Sequence, residues 1–347
     1  MNGNEGPIAS SAPMKYCNFV ISGFSQNSCF SKNARDGCAS PFIALRDKFL
    51  IHGVELNTPD LNVGKEVLFE IHIDVHARAS VERPVFILLF ETVAVALRNQ
   101  HIDPNEYQAI FSWNDDQVRD KKYHKFHLPV ERPNVPDIKG FAERNSLCCA
   151  ISMNKSMRFP TDLELYSRRV ETYLWFERNA PQDFDLYGMG WENPPARSGT
   201  LGKIVSKFNK ILPIKFSAFK HCYKGKAETK TAVLGNYKFS ICYENFRGLN
   251  GQITEKIFDC MFSGCVPIYW GAENIGEYIP DDCFIDRRDF KDDATLYKFL
   301  KSVDANKFNN YQQSIKTFLD SDSAKKFYKE NFVDTVSSVI LNHLSLQ

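Results

Sequence analysis

A chain of 347 residues, 43% hydrophobic and 24% charged, is long enough to bury two cores and too apolar to be a disordered segment. Its net charge of +1 excludes a chain dedicated to nucleic acid, whose phosphates call for a clear basic excess. Ten cysteines at irregular spacing, with no CxxC pair, exclude a disulfide scaffold and a zinc site built on that spacing. A reducing compartment is expected, with thiols such as Cys242 and Cys260 serving as small hydrophobes.

Residues 1–13 are rich in Gly, Asn, Ser and Pro; they lack the basic start and apolar stretch of a signal peptide and read as a flexible tail. Short apolar runs then alternate with helical periodicity, the pattern of parallel sheets covered by helices. Strands are predicted over 15–22, 67–74, 85–90 and 109–113, the last ending in Asn114-Asp115-Asp116, which reads as a turn and not as a metal site. The longest apolar-dominated run, 85–97, is far too short to span a bilayer and contains Glu91. Residues 131–136, with Pro133 and Pro136, read as a linker. A first domain over 14–140 and a second over 141–347 are expected.

Beyond the linker, residues 147–151 read as a strand. A helix is predicted after Thr161-Asp162 as its cap, with Leu163, Tyr166, Val170, Tyr173 and Leu174 on one face. A short strand over 184–187 precedes a basic insertion within 192–236, where Lys203, Lys207, Lys210, Lys215, Lys220, Lys224, Lys226 and Lys230 have only Glu228 among them as an acidic residue over 203–230. That insertion is a solvated amphipathic face or a surface for anionic lipid or a charged acceptor, a peripheral membrane contact through residues 203–230. Strands over 237–243 and 266–270 flank a helix over 254–262. The tail from Lys291 is helical, with Leu296, Phe299, Leu300 and Val303 on one face.

The segment 237–290 is richest in chemistry. Tyr237-Lys238-Phe239-Ser240-Ile241-Cys242-Tyr243-Glu244-Asn245 leads into a loop with Gly248 and Gly251, then Gln252, Ile253-Thr254-Glu255-Lys256 and, further on, Val266-Pro267-Ile268-Tyr269-Trp270-Gly271. This is strand, flexible loop, helix, strand. In a parallel sheet the loop after a strand's carboxyl end binds ligands, the two glycines permit close approach, and the helix start offers unpaired N–H groups to an anion. Lys256 in the first helical turn opposes the macrodipole at a cost of about 0.3–1 kcal/mol, a sign that a bound diphosphate would reverse. Alternatively it is a surface lysine paired with Asp259, contributing about 0.2–0.5 kcal/mol. Spacing alone does not choose.

The run YKFSICYEN…ITEKIFDCMFSGCVPIYWGAENIGEYIPDDCFIDRRDF resembles the C-terminal signature of the α1,3/4-fucosyltransferases, glycosyltransferase family 10, over about fifty residues with several unusual words in order. Upstream, LYSRRVETYLWFERNAPQDFDLYGMGW, ILLFETV and YQAIFSWNDDQV resemble the family more weakly, so that about half the chain is covered. The resemblance implies an α/β fold of the GT-B class, two Rossmann-like domains with parallel sheets facing a central cleft. The first domain would take the acceptor and the second GDP-fucose. It implies an inverting transfer of L-fucose from GDP-β-L-fucose to a glycan hydroxyl, α1,3 to GlcNAc or Glc, without a metal or other cofactor.

Carried over by position, Arg169 of SRRV matches the family's phosphate-binding arginine, with Arg168 one place away as the alternative, and Lys256 its phosphate-binding lysine. Glu255 matches the glutamate of TEK, expected near ribose or fucose hydroxyls, and Asn245 an asparagine lining the donor site. Glu244, Gly251, Gln252 and Thr254 are further donor-loop candidates. Arg169 also has a structural reading, tied to Glu171 or Glu177. Glu91 matches the family's proposed general base; among apolar sequence neighbours its carboxyl is expected to be raised toward neutral pH, against the plainer reading of a solvent-facing strand end. Gln252 stands where many members have an aromatic residue, and YEN replaces the usual FEN. The cysteine pairs and membrane anchor of the animal enzymes are not seen. A bacterial-type cytoplasmic enzyme is therefore expected, at the inner face of the membrane, acting on a lipid-linked or lipopolysaccharide precursor. The alternatives are a transferase for another nucleotide sugar and a non-catalytic glycan-binding protein, the latter opposed by the retained charges at Glu91, Arg169, Glu255 and Lys256.

Overall fold

Apolar runs bounded by turn residues become strands with both faces covered, as parallel sheets require: in Val85–Leu89 all five residues are buried. The computed structural model describes residues 14–34, 37–74, 82–133, 138–157, 161–196 and 217–345. The predicted tail 1–13 and Lys203, Lys207, Lys210 and Lys215 of the basic insertion lie outside them. The chain divides into two units, residues 1–126 with 329–347, and residues 127–328.

The first unit is built on six parallel strands: β1 (Lys15–Val20), β2 (Val54–Asn57), β3 (Val67–Ile73), β4 (Val85–Leu89), β5 (Ala109–Ser112) and β6 (Tyr123–Lys125), in the order β2-β1-β3-β4-β5-β6. Helix α1 (Ser40–Ile51) covers it. The chain's final helix, Lys329–His343, packs beside α1 and buries Phe332, Val336 and Ile340, with Lys48 and Asp334 paired at 3.0 Å. The boundary expected at 140/141 therefore lies at 126/127, and the C-terminal helix, assigned to the second domain from its position in the chain, belongs to the first unit.

The second unit has β7 (Ser146–Ile151), β8 (Phe184–Tyr187), β9 (Tyr237–Ile241), β10 (Val266–Tyr269) and β11 (Ile285–Asp286), again all parallel, in the order β11-β10-β9-β7-β8. After β7 the chain adds β8 on one side, then returns to place β9, β10 and β11 on the other. The strand order thus reverses between β7 and β9, and in such sheets the crevice at the carboxyl ends of the two strands flanking the reversal is the ligand site.

Helix α2 (Tyr166–Asn179) starts four residues after the expected cap at Asp162. The reason lies in the backbone of residues 163–165, which is paired with the loop after β9. The Leu165 N–H donates to the Asn245 carbonyl (2.9 Å), and the Arg247 N–H donates to the Leu163 carbonyl (2.8 Å). Leu163 is consequently exposed instead of lying on the buried face, which runs through Arg169, Thr172, Tyr173 and Phe176. Nine of the ten cysteines are buried, Cys38 is exposed and all are free thiols. Burial pushes Cys148 and Cys149 well above the ordinary thiol range, so they act as core and not as nucleophiles. Among the described residues no helix is long and apolar enough to cross a membrane.

Candidate functional site

Strand β9 delivers Glu244 at its carboxyl end, in a position with no exposed surface (0%). A carboxylate this deep must be hydrogen-bonded. Its oxygens accept from the Thr254 N–H (2.9 Å), the Thr254 hydroxyl (2.9 Å) and the Lys256 ammonium (3.2 Å). The next strand comes so close that only glycine fits at 271: a Cβ there would stand 2.4 Å from Tyr269 Oη and 2.5 Å from Glu244 Cγ.

Helix α3 (Lys230–Leu234) precedes β9, and α4 (Glu255–Phe262) links β9 to β10 with Thr254 as its N-cap. The Thr254 hydroxyl accepts from the Lys256 N–H (3.3 Å) and from Lys256 Nζ (3.0 Å), so cap, lysine and buried carboxylate form one knot. The pairing with Asp259 expected for a surface lysine does not occur, because Asp259 takes Lys230 at 2.7 Å. Lys256 instead pairs with Glu244 and, at 3.7 Å, with Glu255. Burial works against its charge, but Glu244 and then Glu255 prevail and hold its pKa above the ordinary lysine value. The reverse balance applies to Glu255, where burial opposes the charge and Lys256 followed by Lys230 pulls the carboxyl below its usual range.

Arg169 reaches the same place from α2. Its side chain is buried, and Nη2 donates to the Glu244 carbonyl (2.6 Å) and to Asn245 Oδ1 (2.8 Å), while the guanidinium lies 5.0 Å from the Tyr166 ring centroid. Its Nε is buried with no acceptor, and neither Glu171 nor Glu177 pairs with it. Glu171 takes the exposed Arg168 at 2.7 Å, and Glu177 accepts the backbone N–H groups of residues 220–222. The two arginines differ in burial: Arg169 points inward and Arg168 outward. Arg144, the other deeply buried arginine among the described residues of this unit, offers a control. Its Nε, Nη1 and Nη2 together donate to the carbonyls of Lys139, Leu234, Tyr237 and Ser263. Arg169 is left with a spare donor and no carboxylate.

The structure therefore gathers Arg169, Glu244, Asn245, Thr254, Glu255 and Lys256 at the switch point between β7 and β9. Gly251, with its φ at +78°, gives its N–H to Asn274 (2.9 Å). Gln252 is buried, its carbonyl accepting from Tyr269 Oη (3.3 Å) and its Oε1 without a partner. Glu91 belongs to the first unit, two residues beyond β4, and is exposed. The apolar enclosure expected from its sequence neighbours is absent, because burial along the strand stops at Leu89 and Val93 and Val95 also face out. Asp115 and Asp116 pair with Lys125 and Arg119, as suits a turn. In the described part of the basic insertion, Lys224 pairs with Asp185. Sequence reasoning missed Trp270, whose ring centroid has the guanidinium carbons of Arg247 and Arg287 at 5.7 and 5.8 Å; three separated segments meet there, and no local spacing announces it.

Residues 196–331 match the family described as glycosyltransferase family 10 (fucosyltransferase), C-terminal. Through this segment, 136 of its 347 residues, the chain is similar to glycosyltransferase family 10. Its relatives include a Helicobacter pylori α-(1,3)-fucosyltransferase, 30% identical over 30% of this chain and 22% of the relative. A mouse 4-galactosyl-N-acetylglucosaminide 3-α-L-fucosyltransferase is 41% identical over 20% of each. An Arabidopsis thaliana α-(1,4)-fucosyltransferase is 35% identical over 20% of this chain and 17% of the relative. The chain thus spans about a fifth of the length of the curated relatives it matches. A solved α1,3-fucosyltransferase with GDP aligns over 97% of this chain and 93% of its own at 12% identity and TM-score 0.53. The Anabaena protein Alr3699/HepE in complex with UDP and glucose aligns over 95% and 100% at 9% identity and TM-score 0.53. At such identities the likeness speaks for the fold, and the fold class is GT-B, with two Rossmann-like α/β units.

Proposed function

We propose that this chain is an inverting fucosyltransferase that holds GDP-β-L-fucose on its second unit and transfers L-fucose to a glycan hydroxyl. The observation that carries the reading is Arg169: a buried cation with a spare Nε and no carboxylate, beside Lys256 and the first amides of α4. Uncompensated buried charge is costly unless a ligand completes it, and a pyrophosphate is the anion that two cations and a helix N-terminus suit. The acceptor oxygen attacks the anomeric carbon and forms the new glycosidic bond. The bond from that carbon to the β-phosphate oxygen breaks, GDP departs with its electron pair, and the acceptor's proton passes to Glu91. Arg169, Lys256 and the α4 amides stabilise the charge gained by GDP, so no metal or other cofactor is required. The family match and the fucosyltransferases among its relatives support fucose as the sugar.

We assign the linkage as α1,3 to GlcNAc or Glc of a surface-polysaccharide precursor, in a cytoplasmic enzyme at the inner membrane face. An array of glycan acceptors incubated with GDP-fucose, GDP-mannose and UDP-galactose, with the product linkage read by NMR and a parallel arm in EDTA, tests the whole assignment. Transfer from GDP-fucose alone, undiminished by EDTA, is expected. Transfer only from another nucleotide sugar would overturn the donor assignment. GDP binding without any turnover would favour a glycan-binding protein on this fold, and an α1,4 product would correct the linkage.

A further inference from the structure

We infer that Glu244 is a positioning residue whose carboxylate aims the Lys256 ammonium at the donor's diphosphate; the inference rests on the reading of Lys256 as a phosphate ligand. Glu244 sits at the carboxyl end of β9 with no exposed surface, and a carboxylate enclosed so completely is costly to keep. Charge does not account for it, since an anion beside a diphosphate site repels the ligand. Geometry accounts for it. The Thr254 hydroxyl has one hydrogen and two lone pairs. The hydrogen goes to Glu244 Oε2 (2.9 Å), which turns the lone pairs to Lys256, one to its N–H (3.3 Å) and one to its Nζ (3.0 Å). Nζ also donates to Glu244 Oε2 (3.2 Å). Two of the three ammonium hydrogens are thereby committed, and Glu255, at 3.7 Å, lies beyond hydrogen-bonding distance. The third is directed away from Glu244 and Thr254, on a side chain that keeps 27% of its surface exposed.

Glu244 is itself fixed on every side. Its N–H donates to the Trp270 carbonyl (2.8 Å), its carbonyl accepts from Arg169 Nη2 (2.6 Å), and Oε1 accepts from the Thr254 N–H (2.9 Å). One residue thus aligns both cations, Arg169 through its backbone and Lys256 through its side chain. A binding group must be held within about 0.5 Å of its productive place, and the flexible stem of a lysine does not hold itself. The charged groups that face Lys256 are Glu244 from β9, Glu255 on α4 itself and Arg169 from α2, with Lys230 of α3 acting on Glu255. Burial and Arg169 work against the ammonium's charge, and Glu244 followed by Glu255 outweighs them. Removing the Glu244 charge therefore moves the Lys256 pKa down, so the alkaline loss of anion binding begins at lower pH.

The test is calorimetric titration of the full chain with GDP, at pH 7 and into the alkaline range, for the parent, Glu244→Gln, Lys256→Met and the double variant. Glutamine keeps the shape, the backbone contact to Arg169 and an oxygen for the Thr254 N–H, but its amide nitrogen cannot accept from the Thr254 hydroxyl or from Lys256. A charge role and a positioning role then predict opposite signs. Loss of a nearby negative charge alone tightens the binding of an anion, whereas loss of aim should weaken GDP binding by about tenfold at pH 7. The alkaline fall in affinity should also move to lower pH in Glu244→Gln. In the Lys256→Met background, adding Glu244→Gln should weaken binding by less than about twofold, because the group it positions is already gone. GDP affinity unchanged or tightened by Glu244→Gln, or full additivity of the two losses, would overturn the inference and leave Lys256 in the donor site. If Lys256→Met binds GDP like the parent, the donor-site reading fails first and the positioning role with it. Should Glu244→Gln fail to fold, Thr254→Val carries the same cycle, and Thr254→Ser, which returns the hydroxyl, should recover most of the lost affinity.

Discussion

Lys256 shows how a residue's meaning depends on what lies beyond its own helix. At i+3 the sequence offers Asp259, and a one-turn pair is the natural expectation; the structure gives Asp259 to Lys230 and draws Lys256 to Glu244, twelve positions back across a loop. No local spacing encodes that contact, whereas the arginine and lysine themselves were legible by position. Because Glu244 and Glu255 hold the Lys256 pKa above its ordinary value despite burial, the pair's stabilisation is complete below about pH 10.4, the usual lysine value, and is lost only as pH rises through the raised one. Lys256→Met should therefore weaken GDP binding by about tenfold or more at pH 7, measured by calorimetric titration, and should flatten the alkaline limb of the thermal stability profile. An unchanged GDP affinity would remove Lys256 from the donor site. The surroundings of Glu91, not its place in the chain, escaped for the opposite reason: its chain neighbours are apolar, but a strand's burial is set by the sheet above it, and that ends at Leu89.

At the scale of elements, buried parallel strands were easy to read because they are continuous apolar runs; β4, β5, β8 and β10 lie where the pattern puts them, each within a residue or two. Helix α1 and strand β2 escaped. Apolar residues fall all round α1, with Phe42, Leu45 and Phe49 on one face but Ile43, Leu50 and Ile51 on others, and β2 is four residues long with Glu55 and Asn57 among them. The start of α2 was misplaced because residues 163–165 pair with another loop, a tertiary contact overriding a plausible cap. The β10 end carries its own constraint in Gly271. Tyr269 Oη, which accepts the Ala272 N–H at 3.0 Å, and the knotted Glu244 cannot retreat from an added methyl. Gly271→Ala should thus cost about 1–3 kcal/mol of stability and weaken GDP binding by disturbing the Glu244–Lys256 pair; denaturant unfolding with and without GDP would read both. A variant as stable as the parent would show that this contact is looser than the geometry states.

Over the whole molecule, two parallel-sheet units were legible from alternating patterns, but not that the chain's last helix returns to the first. Helical periodicity states which face is buried and is silent about the partner. Burying Phe332, Val336 and Ile340 contributes about 1.5–3 kcal/mol each, as much together as the net stability of many domains. Truncation after Tyr328 should therefore unfold the first unit while residues 127–328 keep a GDP-dependent thermal transition, seen by calorimetry and limited proteolysis; equal loss of both transitions would contradict the division. Nine thiols are enclosed and one, Cys38, faces water. A maleimide dye added to the native chain would accordingly mark a single spot beside α1, giving an optical reporter confined to the first unit, and the nine silent sulfurs would become reactive only when a core opens.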